Sequence, residues 1–568
     1  MMEAYIAFGV FVLLLVILII AKGLYDEKIK WTKFKLKLEK EYGQRPNGQC
    51  DAVHLTTIPR YYEKHPMPNQ IDDITWDDLD MEQIFMCLNK TLSSVGEEYL
   101  YFKLRTPEFD ELSLSHFDQI CDYFASHQEK RIRLQMELAK LGKTGKFSIY
   151  DYLDHLHILG ERKNIKHILF DFLLLLSVLV FFYDVAFGLI CFCLISIYNI
   201  ISYFKEKNEI DMYITSFAYV LRLMETSEKV CNLHLETCEL ELAALKEHKS
   251  RLNKFQRGSF WLMSSGRMSG SGNPLDIFFD YLRMIFHMDL IQFNKMLCQV
   301  RNHIDDVEVL ITNLGYLEAA IAIGEYRFYL GKEGLDWCKP CLKKNATLTI
   351  KEGYHPLITN PVKNSIQARK GVLLTGSNAS GKSTFLKMVA VQAILAQTVY
   401  TCLAKEYEAD TFVIASSMSL RDNLESGESY YIVEIKSIKR ILDLTSQETY
   451  PVLCFVDEVL RGTNTVERIA ASTEILNSLA KNNVLCFAAT HDIELTELLK
   501  NSFDNYHFEE KIQDGDILFN YELQKGKATT RNAIQLLRIM GYETQIIESA
   551  TDRAMRFLKT GMWNNGEN

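Results

Sequence analysis

The stretch "GVLLTGSNASGKSTFLKM", Gly371 to Met388, decides the fold of the C-terminal part of the chain. "GVLLT" is a short apolar run of the kind that forms a buried strand. Gly376 to Ser383 then fits G-x-x-x-x-G-K-[ST] at every fixed position. The segment that follows, "STFLKMVAVQAILAQ", carries an apolar stripe at helical spacing. Strand, glycine-rich loop and helix together form the setting in which backbone N–H groups close around phosphate and the helix N-terminus adds a favourable dipole. The motif therefore predicts an α/β P-loop domain. Its candidate ATP-binding residues are Gly376, Ser377, Asn378, Ala379, Ser380, Gly381, Lys382, Ser383 and Thr384. Lys382 is expected on the β- and γ-phosphates, and Ser383 on Mg²⁺.

Two further apolar runs end in polar residues, as strands that feed such a site should. "PVLCFVDE", Pro451 to Glu458, places two carboxylates at a strand end. Asp457 is expected to help hold Mg²⁺, and Glu458 to orient or deprotonate the attacking water. "NNVLCFAATH" ends at His491, a position from which an imidazole can sense the γ-phosphate. Between these motifs lies Ser426-Gly427-Glu428-Ser429, a small polar turn at the start of a helix. It reads equally as a phosphate-binding helix start and as an ordinary N-cap.

The chain has 568 residues, enough for about three to five domains. Its formal net charge of −10 gives no bulk basic signal for nucleic acid, although a local patch can still serve. The 13 cysteines are scattered and read as reduced thiols. One pair, in "WCKPC", Trp337 to Cys341, has the letters of a thioredoxin motif. That motif needs a strand before it and a helix after it. Here a helical pattern precedes and a β-rich segment follows, so the pair reads as a chance spacing of structural cysteines.

Tyr5 to Ala21 is uncharged and near the lower length limit for crossing a bilayer. Six lysines follow, at 22, 28, 30, 33, 35 and 37, which places the rest of the chain on the cytoplasmic side. A second apolar region, Ile165 to Tyr203, has the length of two helices with a turn near Tyr183-Asp184. Arg162, Lys163 and Lys166 flank one end, and Lys205 and Lys207 the other, as a membrane hairpin with both ends cytoplasmic requires. The expectation is about three transmembrane helices.

Taken in order, "EGYHPLI", "TGSNASGKST", "NLESGESYYIVEI", "DEVLRGTNT" and "ATHDIELTEL" resemble the MutS family of mismatch-repair ATPases. The resemblance reaches upstream to Asp78–Pro107 and to "LGYLEAAIAIGEYR", Leu314–Arg327, which are similar to that family's helical core. "ATTRNAIQLLRIMGYETQIIESATDRA" resembles its last, dimerising helices. The resemblance implies a MutS/ABC-like P-loop ATPase domain on an α-helical MutS-type core. It also implies a homodimer in which Ser426, Gly427, Glu428 and Ser429 act on the other copy's nucleotide, a role for DNA, and stacking of Tyr521 on adenine. The expected layout is an anchor over 1–21, a cytoplasmic linker over 22–71, helical core over 72–164 and a membrane hairpin over 165–204. Helical core resumes over 205–345, and the ATPase domain with its dimerisation helices fills 346–568.

The sequence also departs from that pattern. Only about 50 residues separate the anchor from the core resemblance, so no mismatch-reading domain is expected. "FDE", Phe109–Glu111, fits the letters of the family's intercalating motif but lies inside the core segment and reads as chance. A basic stretch carries Lys249, Arg251, Lys254 and Arg257 with Phe255, Phe260 and Trp261 interleaved. It suits DNA, anionic lipid or a solvated helix face, and the residues do not choose among the three. Two function classes therefore stand. One is a membrane-anchored ATPase that binds DNA in repair or recombination. The other is an ATP-driven membrane switch acting on protein partners.

Overall fold

The structure is a computed structural model. It describes residues 2–46, 55–145, 147–153, 156–160, 162–180, 182–256, 281–344, 347–377, 380–418, 430–446, 449–461, 463–513, 516–527, 534, 537–538 and 540–560. The chain divides into two compact units that interleave along the sequence. One unit comprises Met1–His65, Leu88–Phe102 and Gln119–Tyr329; the other comprises Pro66–Cys87, Lys103–Asp118 and Leu330–Asn568. This division differs from the linear layout expected above. Residues 66–71, read there as linker, and 72–87 and 103–118, read as helical core, fold with the nucleotide domain.

The second unit is built on two sheets. The smaller contains β1 (Cys341–Leu342), β2 (Leu348–Gly353), β3 (Asn364–Ala368) and β5 (Glu406–Ala409), in the order β1-β5-β2-β3. The larger contains β4 (Gly371–Thr375), β6 (Val413–Ser417), β7 (Val452–Asp457), β8 (Val484–Ala489), β9 (Phe503–Gln513) and β10 (Asp516–Lys525). Its order is β10-β9-β4-β8-β7-β6, parallel from β9 through β6, with β10 antiparallel at the edge. Every residue of β4, β7 and β8 is buried, as a parallel sheet covered on both faces demands.

The helix Lys382–Val399 follows the loop after β4 and contacts strands of both sheets. The sequence shows one apolar stripe, whereas the helix is buried almost all round. Its two glutamines make this tolerable because both are fully satisfied. Gln392 Nε2 donates to Tyr354 O (3.1 Å) and Leu403 O (2.8 Å), and its Oε1 accepts from Leu403 N (2.7 Å). Gln397 exchanges two bonds with the Phe412 backbone at 3.0 and 2.9 Å. Such pairing removes the desolvation cost of the buried amides.

The segment 66–87 covers the open edge at β6. Asp72 caps the helix Asp73–Asp78 through Thr75 N (2.8 Å) and pairs with Arg440. Asp78, 2 % exposed, accepts from Ser416 Oγ (2.7 Å) and Met418 N (2.8 Å). An uncovered edge strand would offer unpaired backbone groups to other chains. Phe109 of the "FDE" triplet stacks on Tyr450 with ring centroids 4.0 Å apart, a packing contact inside this unit.

The first unit is helical. Met2–Glu41 is one continuous helix, so the expected linker begins as helix; the side chains of 2–17, 19 and 20, which include most of the apolar run, lie outside the described residues. Ile165–Val180 and Val185–Cys231 form a hairpin whose second arm is 47 residues, about 70 Å, long. Asp184 caps that arm through Phe187 N at 3.0 Å. The arm runs on well past residue 204, where the hairpin was expected to end.

Two helices are long and apolar enough to cross a membrane among the described residues, and their surroundings separate them. Ile304–Lys332 is 72 % buried and is the core helix of this unit. Val185–Ile210 is only 11 % buried. The other arm matches it, with Ile168, Leu169, Phe172, Leu175 and Leu179 all exposed.

Ile304–Lys332 approaches Ser94–Arg105 at glycines. A Cβ at Gly315 would lie 2.6 Å from Tyr99 Cβ and 2.7 Å from Val95 O; one at Gly96 would collide with Glu318. Glu318 is fully buried and accepts from Ser93 Oγ and the Leu92 and Ser93 amides; burial pushes its pKa up to about 7. Gly315→Ala must force the two helices apart. It is expected to destabilise the full chain by about 2 kcal/mol, read as a lowered thermal midpoint. An unchanged midpoint would show that the contact is looser than described.

Candidate nucleotide site

Three parallel strands deliver the functional groups to one edge of the larger sheet, where strand carboxyl ends define a ligand crevice. β4 leads into the loop, β7 ends at Asp457 and β8 leads through Thr490 to His491. The register Asp457↔Ala489 and the bond from Glu458 N to Ala489 O (2.9 Å) hold the acidic pair beside the histidine. Thr490 N donates to Leu374 O (2.9 Å), which ties that same end to β4.

The loop turns at glycines for steric reasons. Gly376 has φ 145°, and a Cβ there would lie 2.9 Å from Phe508 O. Gly381 has φ 105°, in the region that disfavours side chains, and caps the helix. Lys382 Nζ donates to Gly376 O (2.9 Å) and Ser377 O (2.8 Å). Its burial among these groups lowers its pKa, against the attraction of Asp457, Glu458 and Glu510. Ser383 Oγ donates to Asp457 Oδ2 at 2.5 Å. Ser377 Oγ donates to Glu510 Oε2 on β9, also at 2.5 Å.

Glu458 has φ 58° and Leu460 φ 60°, left-handed conformations that cost energy in non-glycine residues. Glu434 supports the turn: its buried carboxylate accepts from Leu460 N (2.5 Å) and Arg461 N (3.4 Å). Glu458 meets His491 Nε2 at 2.6 Å and Arg461 Nε at 2.7 Å. The His491 hydrogen bond, then Arg461 and Lys382, outweigh burial and lower its pKa, so Glu458 is ionised. Lys382 Nζ lies 3.4 Å from the same His491 nitrogen. One nitrogen that donates to Glu458 cannot also accept from an ammonium, so that approach is proximity.

These groups border a cavity of about 690 Å³. Ser380 to Phe385, Glu458, Arg461 and His491 line it, and His355, Val362 and Tyr521 are among the other lining residues. Tyr521 has φ 55° and lies in a bulge between Phe519 and Leu523. Asn364 on β3 clamps that bulge by donating to Tyr521 O (2.9 Å) and accepting from Leu523 N (2.7 Å). A Cβ at Gly381 would lie 3.2 Å from the Tyr521 ring. His355 is 6 % exposed, and burial takes its pKa down to about 4.

The structure thus brings together Gly376, Ser377, Ser380, Gly381, Lys382, Ser383, Thr384, Asp457, Glu458, His491 and Tyr521. Asn378, Ala379 and the Ser426–Ser429 segment lie outside the described residues. Sequence reasoning missed Arg461, Glu434, Glu510 and Asn364. Arg461 and Glu434 stand in the quoted "DEVLRGTNT" and "NLESGESYYIVEI" and were within reach; Glu510 and Asn364 act from distant elements. The basic stretch belongs to the helical unit. Lys249 pairs with Glu228 (2.8 Å), and Arg251 with Glu247 (2.5 Å) and Asp306 (3.3 Å). The Lys254 side chain and Arg257 lie outside the described residues.

The strand–loop–helix with its lysine, serine and strand-end carboxylates defines the class: a P-loop-type α/β nucleotide domain. Residues 372–558 match the MutS domain V family. The chain is 32 % identical over 267 residues to the DNA mismatch repair protein MutS of Desulfovibrio desulfuricans, covering 44 % of this chain and 27 % of that protein. It is 31 % identical over 208 residues to the DNA mismatch repair protein MutS of Thermus thermophilus, covering 36 % and 25 %. With human MutS protein homolog 4 it shares 29 % over 269 residues, covering 44 % and 28 %. Residues 372–558 thus form a MutS-type domain, and what the chain shares with these relatives spans about a quarter of their length.

Lys382→Ala removes the ammonium facing the loop and is expected to abolish binding of a fluorescent ATP analogue; tight binding retained would undo the loop's assignment. Glu458→Gln keeps the shape but loses the charge. It should still bind ATP and turn over at least about 100-fold more slowly, whereas wild-type turnover would remove Glu458 from the chemistry.

Proposed function

We propose that this chain is a membrane-anchored, MutS-type ATPase that binds and hydrolyses ATP as a dimer and binds DNA. The observation that carries the reading is the convergence of Lys382, Ser383, Glu458 and His491 on one cavity, with Asp457 hydrogen-bonded to Ser383. Lys382 exchanges its two carbonyl partners for the β- and γ-phosphate oxygens. Tyr521 stacks on the adenine. Glu458, ionised and held by His491 and Arg461, orients the attacking water and accepts its proton. The hydroxyl of Ser383 and the carboxylate of Asp457 are hard oxygen donors that suit Mg²⁺. When bound, Mg²⁺ neutralises charge that develops on the phosphates.

The dimer follows from the family resemblance, in which Ser426–Ser429 of each copy complete the other's site. The membrane anchoring rests on the exposed apolar hairpin and on the apolar start of the first helix. It places the protein in the cell membrane, multi-pass, with about three spans and the ATPase domain in the cytoplasm. DNA enters from relatives named as DNA mismatch repair proteins.

A second reading is an ATP-driven membrane switch that acts on protein partners and binds no DNA. The same hairpin favours it, because an apolar extension of about 40 residues has no use in holding a polyanion. The two readings part on one assay. The detergent-solubilised full chain is titrated with duplex, mismatched, branched and single-stranded DNA, with and without ATP, across a salt series. The proposal expects ATP-responsive binding whose log affinity falls linearly with log salt. Intact ATP turnover with no binding at low salt would mean that the ATPase is coupled to something other than DNA and would favour the switch.

A further inference from the structure

The "WCKPC" segment acquires a different meaning in the structure. Its two cysteines do not face each other. Cys338, Lys339 and Pro340 lead without helix into β1, which begins at Cys341. In an extended chain, positions three apart point to opposite faces and lie about 10 Å apart. That exceeds the roughly 7 Å between Cα atoms that a disulfide can span.

Cys338 instead stands opposite Cys402. The two form an isolated antiparallel bridge. Cys338 N donates to Cys402 O (2.9 Å), and Cys402 N donates to Cys338 O (2.8 Å). Residues that exchange both bonds have Cα atoms about 5.5 Å apart, inside the disulfide range. Their thiols are in hydrogen-bond contact. That contact, with the Tyr407 backbone N–H, outweighs burial and the nearby Glu406, and holds the Cys338 pKa below the usual thiol range. Cys338 is partly exposed, while Cys402 is completely buried, its Sγ 3.9 Å from Gln392 O on the helix after the phosphate loop. Both are free thiols in this structure.

We propose that Cys338 and Cys402 form a peroxide-responsive dithiol site, with Cys338 the attacked thiol and Cys402 the resolving one. In the first step the Cys338 sulfur attacks one oxygen of hydrogen peroxide. The O–O bond breaks, water leaves with the thiol proton, and a sulfenic acid remains. In the second step the Cys402 sulfur attacks the sulfenyl sulfur. The S–O bond breaks, a second water leaves with the Cys402 proton, and the disulfide forms. The two thiols lose two electrons, and the peroxide gains them.

The product is strained. Directly opposed Cβ atoms in a hydrogen-bonded pair sit near the upper end of about 4.5–5.5 Å, and a disulfide wants about 3.8 Å. A bond drawn in this way is readily reduced, as a reversible mark in a reducing compartment must be. It closes a covalent loop around the whole phosphate loop and the helix after it.

The test is brief hydrogen peroxide treatment of the full chain in detergent, alkylation of remaining thiols, and peptide mass spectrometry. The expected result is a linked Cys338–Cys402 peptide that dithiothreitol removes. It should persist in Cys341→Ser and vanish in Cys338→Ser. In Cys402→Ala, Cys338 should accumulate a dimedone-reactive sulfenic acid. A Cys338–Cys341 linkage would overturn the assignment. So would sulfinic acid at Cys338 of the wild-type chain with no linked peptide, or both thiols remaining unmodified while other cysteines of the chain oxidise.

Discussion

Everything at the nucleotide site depends on holding opposite charges at the mouth of a dry sheet. Lys382 and Arg461 stand among Asp457, Glu458 and Glu510, and His491 is hydrogen-bonded to Glu458. Buried ions are costly unless paired, so the arrangement is stable only while all of them are placed together. Strand register places them. The parallel ladder β4-β8-β7 fixes the loop, the histidine and the carboxylates at one edge, and fully buried strands leave that ladder little freedom to slip. The left-handed turns at Glu458 and Leu460 are the local cost, and Glu434 offsets it from a neighbouring helix.

The same reasoning explains which parts of the site the sequence revealed. Gly376–Ser383, Asp457, Glu458 and His491 were legible because each sits at a fixed offset from an apolar run, and that offset is set by local geometry. Tyr521 came only through family resemblance, since nothing in its own neighbourhood points to a base. Asn364 and Glu510 were not legible, nor was the role of Glu434 within its quoted motif. Each works through a single contact across many residues of separation, and a local pattern carries no trace of such a contact. Burial of the Lys382–Val399 helix on all sides was missed for a related reason: Gln392 and Gln397 look like a polar face until their backbone partners are known.

At the level of the fold, β4, β7, β8 and the helix after the phosphate loop could be read from apolar runs and periodicity, but the grouping of segments could not. Residues 72–87 look like the start of a helical core, yet Asp72 and Asp78 bind them to the β6 edge of the nucleotide unit. The hairpin shows the reverse case. Composition alone marked 165–204 as apolar, and the structure adds that its arms remain exposed and that the second arm continues unbroken to Cys231. The long helix therefore serves two environments along one rigid axis: apolar surface at one end and packed helical core at the other. A P-loop domain and an exposed apolar hairpin in one chain are the combination that any account of its work must join.

The most direct measurement of that combination is whether the hairpin tip can be reached from outside the cell. Tyr183 is 96 % exposed at the turn, so Tyr183→Cys should leave the fold intact. Intact cells and inside-out vesicles carrying this variant or the wild-type chain would be treated with a membrane-impermeant maleimide. The account predicts extra labelling of the variant in intact cells, from the side opposite the ATPase domain. Extra labelling only in inside-out vesicles, or a chain that washes off the membrane at alkaline pH, would contradict it.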